Sequence, residues 1–487
     1  MLFLAVELGS TNIKTALYDA QMHCIAMQSA PVDYIRSGAF VEFEPEAYLA
    51  RVFELIKSVS ADAKTSEPVY ITITGQAESL LLLDARGVPL MNAISWMDER
   101  SIEECSVLES AFSRATCYAH TGQPAALPTW PATKILWLRQ HQPDRFASVA
   151  KYVLLKDYVV YRLTGRLAAD CSIATFTYYF DIYERRYWPE MLSFLGISET
   201  QLPPLCEPCE TIGTILPDVA LRLGLTEEAL VNNGTLDHFC GMVGTGNIAE
   251  GQLSLSTGTV LGLSTLAVSS VRRDTGIPMH YGFLPKQFVM LSASESGGVS
   301  LEWYKNAFMP DVNYADIDRE VTLRYPGEVL FLPYLVGSNG PEFDPDACGV
   351  FFGLRSKHDP FDLALSVMDG VCHLLRKNCD YIRKNGTKIE RIIATGGGAK
   401  SALWCQMQAD ITGIPVCTPA EKEAALLGAA IVGAVSVGVF PSYTAAVEQV
   451  VRLTKIFHPK RYEINEQRHM QFVARYDAMI NVQKVQS

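Results

Sequence analysis

Phe3-Leu-Ala-Val-Glu7-Leu-Gly9-Ser10-Thr11-Asn12-Ile-Lys14-Thr-Ala-Leu-Tyr18-Asp19 is the stretch on which the fold turns. An apolar strand from Phe3 to Leu8 meets a small, hydroxyl-bearing turn, and a second strand runs from Lys14 to Tyr18. Midway along the chain the layout returns. Gln252 to Ser256 reads as a strand, Thr257-Gly258-Thr259 as a turn and Val260 to Thr265 as the returning strand. Glycine lets each turn bend sharply, and the hydroxyls and amides beside it offer hydrogen-bond donors to phosphate oxygens. Two hairpins of one design, too different to align letter by letter, predict two related half-molecules, each with one phosphate-binding turn. Further strands at Val69 to Thr74 and Leu80 to Leu83, with helices at Pro45 to Ser58 and Lys134 to Gln140, give an α/β pattern. The division is predicted near Gly244-Thr-Gly246-Asn247, giving residues 1–245 and 246–487.

Between the hairpins lies Val231-Asn-Asn-Gly-Thr-Leu-Asp237-His-Phe-Cys-Gly241. A carboxylate among small residues, beside two phosphate turns, is suited to accept a proton from an attacking hydroxyl. From the local sequence, a helix-capping Asp is an equal alternative. Near the C-terminus, Ile392-Ile-Ala394 runs through Thr395-Gly396-Gly397-Gly398-Ala399-Lys400-Ser401 into a helix over Ala402 to Thr412. Such a turn offers free backbone N–H groups at a helix start. It matches neither the dinucleotide GxGxxG nor the P-loop, and a tight strand-to-helix turn explains it about equally well.

The chain has 487 residues, too many for one ordinary core, so two domains are expected. Its hydrophobic fraction of 48% and charged fraction of 19% describe a folded globular protein. A net charge of −12 argues against nucleic-acid partners and anionic membranes. The 12 cysteines are scattered, and the CxxC at Cys206-Glu-Pro-Cys209 has no second pair at zinc-ligand spacing. Reduced cytoplasmic thiols are the simpler reading. Ala424 to Phe440 carries no charge, yet it reaches only the lower edge of the ~17–25 residues that a membrane span needs. It is rich in Ala, Gly and Ser and stops at Pro441, so a closely packed helix of a soluble domain is expected.

In these segments the chain resembles the FGGY family of carbohydrate kinases, over essentially its whole length. The resemblance is carried, in the family's order, by the opening hairpin, Gly75-Gln76-Ala-Glu78, Trp96-Met-Asp98-Glu-Arg100 and Lys134-Ile-Leu-Trp137-Leu138. Asp237, Thr257-Gly258, Gly349-Val-Phe351-Phe-Gly353-Leu354 with Asp362 to Asp369, and Gly396-Gly-Gly-Ala399 follow. Each piece is common; all of them in register are specific. The resemblance implies the actin-like ATPase fold, two ribonuclease-H-like domains closing on a cleft, with sugar bound mainly by the first and ATP by the second. It also implies a cytoplasmic enzyme, Mg²⁺ and a homodimer.

Residue by residue, the resemblance makes Asp237 the catalytic base. It puts Gly9, Ser10, Thr11, Asn12 and Lys14 on the ATP phosphates, Thr257 and Gly258 in the second phosphate hairpin, and Gly397, Gly398 and Ala399 under the adenosine. Gln76, Glu78, Trp96 and Asp98 are expected at the sugar, and Arg100 as an ion-pair partner. Trp130 reads as core packing at least as readily as cleft lining. Glu7 stands where the family usually has Asp near Mg²⁺; its extra methylene suits contact through a water. Glycerol kinases read Gly-Gln-Arg-Glu and xylulokinases Gly-Gln-Met-His where this chain has Gly75-Gln76-Ala77-Glu78. The missing Arg argues against glycerol, and Ala77 is expected to leave space for a longer substrate. General similarity at Leu155-Lys-Asp157-Tyr and Leu163-Thr-Gly165 leans toward a ketopentose such as xylulose. The alternatives are a kinase for another polyol or sugar acid, or a non-catalytic nucleotide-binding relative, which an intact Asp237 disfavours. Gly244 and Gly246 are candidate hinges.

Overall fold

Strand β1 (Leu2–Leu8) has no solvent face, because it lies in the middle of a sheet covered on both sides. In the computed structural model it pairs antiparallel with β2 (Asn12–Tyr18), which pairs with β3 (Cys24–Pro31). On its other side it runs parallel to β4 (Val69–Gly75). With β5 (Thr211–Thr214) and β6 (Leu230–Asn232) the sheet order is β5-β6-β4-β1-β2-β3. The structure describes residues 1–62, 67–258, 260–267, 276–294, 296–338, 344, 346–460 and 463–486.

The second half repeats the plan with β7 (Gly251–Thr257), β8 (Leu261–Ala267), β9 (Met279–Tyr281), β10 (Phe288–Ser294), β11 (Ile389–Thr395), β12 (Val416–Pro419) and β13 (Leu453–Phe457). Its order is β9-β10-β8-β7-β11-β12-β13. Apart from the added edge strand β9, both sheets show the same succession of antiparallel, antiparallel, parallel, parallel and antiparallel pairings. The likeness first seen in two hairpins thus extends to two whole sheets, the ribonuclease-H-like pair of the actin-like ATPase fold. Thr259, in the second turn, lies outside the described residues.

Strand parity decides what faces what. Leu4, Val6 and Leu8 of β1 pack with Val52, Phe53 and Ile56 of the helix Pro45–Asp62. Phe3 and Ala5 belong to the opposite face and to the other core. Glu7 shares that opposite face, and Lys14 is its register partner on β2.

The cover on this face comes from the far half of the chain. Helix α1 (Asp237–Thr245) leads out of the first sheet, and helix α2 (Ala424–Ser436) follows β12 of the second. α2 packs on β1 and β4 and crosses α1. The crossing has no room for side chains. A Cβ on Gly244 would lie 1.9 Å from the Ala424 carbonyl oxygen, and one on Gly428 would lie 1.8 Å from that of Cys240. The uncharged stretch is therefore the closely packed helix expected of it, and no helix among the described residues is long and apolar enough to cross a membrane. Gly246, in left-handed conformation, ends α1, whereas Gly244 serves close approach.

Candidate active site

The strand ends converge on a cavity of about 1000 Å³ whose lining comes from both halves. Glu7 and Lys14 enter from the first hairpin, Asp237 and His238 from the start of α1, and Ser254 and Ser256 from alternate positions of β7. Gly396, Gly397 and Ala399 follow β11, and Glu423 stands at the head of α2.

Asp237 is the first residue of its helix, and Leu236 holds the cap position without a side-chain bond. Asp237 Oδ1 accepts from the adjacent His238 amide at 2.6 Å. A capping role would need the amide one or two residues further on, so the geometry does not favour that alternative. Burial pushes the Asp237 carboxyl above its usual range, opposed by the His238 amide and by Lys14. His238, partly buried, places Nε2 3.0 Å from Ser264 Oγ, and desolvation lowers its pKa to about 4, which leaves it neutral at pH 7. Nothing in the sequence except its place beside Asp237 pointed to His238.

Glu7 Oε2 is buried and accepts no hydrogen bond; its nearest cation is Lys14 Nζ at 3.8 Å. Burial raises this carboxyl to about 7 against the opposing pull of Lys14, with Asp237 adding a further upward push. An unsatisfied carboxylate oxygen opening on a cavity beside a second carboxylate fits a hard divalent cation. Among the described residues no group of three His, Cys, Asp or Glu forms a protein cage. The remaining ligands of such an ion would then be phosphate and water, as is usual for Mg²⁺.

The Glu7 shift predicts a pH dependence. The unfolded chain has the ordinary value of 4.5, so the penalty for folding with an ionised Glu7 is absent below that value and complete above about 7. Glu7→Gln is accordingly expected to melt above wild type at pH 8, by roughly 2 kcal/mol of stability, with the gap closing toward pH 5. Adding Mg²⁺ with ATP should stabilise the wild type more than the variant. Superimposable melting curves at pH 8 would refute the account.

The first turn is tight: a Cβ on Gly9 would lie 2.4 Å from the Asn12 carbonyl oxygen. Ser10, Thr11 and Asn12 keep partial or full exposure at the turn. At the second, Thr257 is buried and Gly258 follows it, while β11 runs alongside with Ser256 opposite Thr395. The triple glycine consequently lies against the second hairpin, where a Cβ on Gly398 would come within 2.7 Å of the Thr257 side chain. Hairpin and glycine strip form one surface, which their separation in sequence concealed.

The first half also holds a smaller sheet with Leu80–Leu83 and Ala93–Ile94 among its strands. Gly75 to Ser79 crosses from the main sheet to this one, and Trp96 follows its second strand. Gln76 ties the first turn to that platform. Its Nε2 donates to the Gly9 carbonyl at 3.3 Å, and its Oε1 accepts from Ser79 Oγ at 3.0 Å. Ser79 Oγ in turn accepts from the Trp96 amide at 3.2 Å.

Glu78 adopts a left-handed backbone, φ 68°, rare for a side chain without glycine's freedom. Thr129 Oγ1 donates to its Oε1 at 3.3 Å. Beneath it, wholly buried Lys134 donates to the carbonyls of Ser95 at 2.8 Å, Thr129 at 2.7 Å and Glu78 at 3.4 Å. Burial drives the Glu78 carboxyl up and the Lys134 amine down, while their mutual attraction opposes both shifts. Lys134 was part of the family resemblance but had been assigned no task.

Two expectations are corrected on this side. Asp98 was expected at the sugar, but both its oxygens are committed. Oδ1 accepts from Arg100 N at 3.0 Å and Nε at 2.7 Å, and Oδ2 from Val41 N at 2.6 Å and Arg100 Nη2 at 2.8 Å. Arg100 also meets Glu42 at 2.6 Å and is the structural ion-pair partner expected of it. Ala77 was expected to leave space for substrate; it is buried in the core. Trp130 packs on Tyr178, ring centroids 5.9 Å apart, and donates Nε1 to the Ala125 carbonyl at 3.2 Å.

Residues 2–244 match the profile of the N-terminal domain of the FGGY family of carbohydrate kinases, and residues 253–437 that of its C-terminal domain. The chain is 31% identical to the xylulose kinase of Escherichia coli (strain K12), over 85% of each chain. It is 29% identical to that of Bacillus subtilis (strain 168), over 95% of this chain and 94% of the relative. Its fold superposes on the crystal structure of xylulose kinase from Rhodospirillum rubrum with a TM-score of 0.94, over 99% of each chain at 22% identity.

Proposed function

The chain belongs to the FGGY family of carbohydrate kinases, and from that premise we propose that it phosphorylates a ketopentose such as xylulose from ATP, with Asp237 as the base. The enzyme is a phosphotransferase acting on a sugar hydroxyl. The observation that carries the base assignment is a partly buried carboxylate at the helix start, facing a cavity lined by both halves of the chain. A sugar hydroxyl does not ionise at pH 7, so a positioned base accepts its proton as the bond to phosphorus forms. The raised basicity of Asp237 favours that acceptance.

In this reading Lys14 and the turn Gly9–Asn12 hold the terminal phosphates. Thr257, Gly258 and the strip Gly397–Ala399 hold the rest of the nucleotide. Glu7 would hold Mg²⁺, directly or through a water, and the ion would offset charge on the phosphate oxygens. Glu78 bonds sugar hydroxyls while the Trp96 ring covers a C–H face. Gln76 contributes its one remaining N–H and otherwise fixes the phosphate turn relative to the sugar platform. Asp98 supports the same loop through Arg100. Sugar and the terminal phosphates thus fall to residues 1–245 and the rest of the nucleotide to 246–487. The enzyme works in the cytoplasm as a homodimer, on a small sugar rather than on nucleic acid or membrane.

That relatives sharing most of this chain are xylulose kinases supports xylulose, whereas Glu78 stands where the xylulokinase pattern has His. ADP release measured with ATP and a panel of ketopentoses, polyols and sugar acids tests the assignment. The highest kcat/KM is expected for xylulose. A panel in which only glycerol or only a sugar acid supports turnover would reject that substrate.

A further inference from the structure

One ion pair spans the two halves at the cavity, and the transfer chemistry does not require it. Lys14 Nζ on β2 lies 2.5 Å from Glu423 Oε2, its partner 409 positions along the chain. Glu423 sits at the cap position of α2, yet its side chain makes no cap bond. Glu421 holds the local backbone instead, its Oε1 accepting from the amides of Lys422 and Glu423 at 2.8 Å. The carboxylate of Glu423 is thereby left to Lys14.

This pairing works against nucleotide binding. Glu7, Asp237, Glu421 and Glu423 place four carboxylates on the wall of a cavity that must receive a polyanion, against four lysines of which Lys14 is one. Lys14 is the cation nearest Glu7 there, and Glu423 occupies it at closer range than Glu7 does. A triphosphate must draw Lys14 away from Glu423 before using it. The position of Glu423 makes that exchange sensitive to domain motion. It ends the link Ala420–Glu423 between β12 of the second sheet and α2, which packs on the first. Rotation of one half against the other would bend this link, at whose end Glu423 stands beside Lys14.

We propose that Glu423 is a positioning residue that withholds Lys14 from the nucleotide until the sugar-loaded cleft closes, and so suppresses transfer of the phosphoryl group to water. In the suppressed reaction the water oxygen bonds to the γ-phosphorus, the bond to the bridging oxygen breaks, ADP leaves and a proton passes to solvent. The proposal rests on the kinase reading above.

The test is ADP release with and without sugar, for wild type and for Glu423→Gln and Glu423→Asp. In Glu423→Gln the sugar-independent rate should rise roughly 3- to 10-fold and the KM for ATP should fall, because Lys14 loses its competing partner. The sugar-dependent kcat should change far less. Glu423→Asp retains the charge and should return the ratio of the two rates toward wild type. Glu423→Ser gives the same reading as Gln if the amide disturbs the link. Parallel loss of both rates with a lowered melting temperature would make Glu423 merely structural and overturn the proposal. An unchanged ratio, or a raised KM for ATP, would overturn it as well. Failure of the kinase reading itself would look different: wild type would release no additional ADP with any sugar of the panel.

Discussion

Asp237→Asn is expected to lower kcat by about 10²–10⁴-fold, with the affinity for sugar close to wild type. The amide is isosteric and can still accept the His238 N–H that the carboxylate accepts at 2.6 Å, so α1 should start as before. What disappears is the proton acceptor. The carboxylate is held between opposing influences: burial raises its basicity, while Lys14 and the His238 amide favour its charged form. The first turn of α1 adds to the second group, because a helix N-terminus favours negative charge. Stopped assays of ADP release give kcat, and calorimetric titration of sugar into the ADP-loaded variant gives affinity. Turnover within a few-fold of wild type would remove Asp237 from the chemistry. A parallel loss of sugar binding would recast it as a ligand.

Gly244→Ala is expected to cost at least about 3 kcal/mol, read as a fall of roughly 3–6 °C in melting temperature. Its methyl group would have to share space with the Ala424 carbonyl oxygen at 1.9 Å, and helix backbone cannot move aside as a flexible side chain can. Gly241→Ala supplies the control. It lies one turn earlier on α1, and a Cβ there meets nothing within 4 Å. There the better helix propensity of alanine should act alone and stabilise by about 0.5–1 kcal/mol. If both variants melted alike, the close crossing of α1 and α2 would be wrong. If Gly244→Ala kept its melting temperature but lost sugar-dependent turnover, the crossing would matter to motion rather than to stability.

Much of this was legible because it is local. The hairpins announce themselves through an apolar strand, a small hydroxyl-bearing turn and a returning strand. The recurrence of that design midway predicted the two matching sheets. What stayed hidden depends on partners far away in the chain. Asp98 reads as a free carboxylate until Arg100 folds back and the Val41 amide arrives from another strand. Ala77 reads as a gap until its surroundings close over it. The segment from Ala424 reads correctly as a packed helix, but its composition does not say that it packs on the other half, or that Glu423 at its head meets Lys14. Glu78 carries no mark of the left-handed backbone that aims it.

The helix that covers the first sheet is synthesised long after the strands it covers. Phe3 and Tyr70 must wait for Gly433, a Cβ on which would lie 2.8 Å from Tyr70, before that face of the sheet is sealed. At ~5–20 residues per second, that interval is some tens of seconds. Throughout it the nascent N-terminal half shows an apolar surface that only its own unfinished chain can cover, and it is then exposed to chaperones and to neighbouring nascent chains. The first core is therefore completed only when a helix from the other half of the chain has emerged.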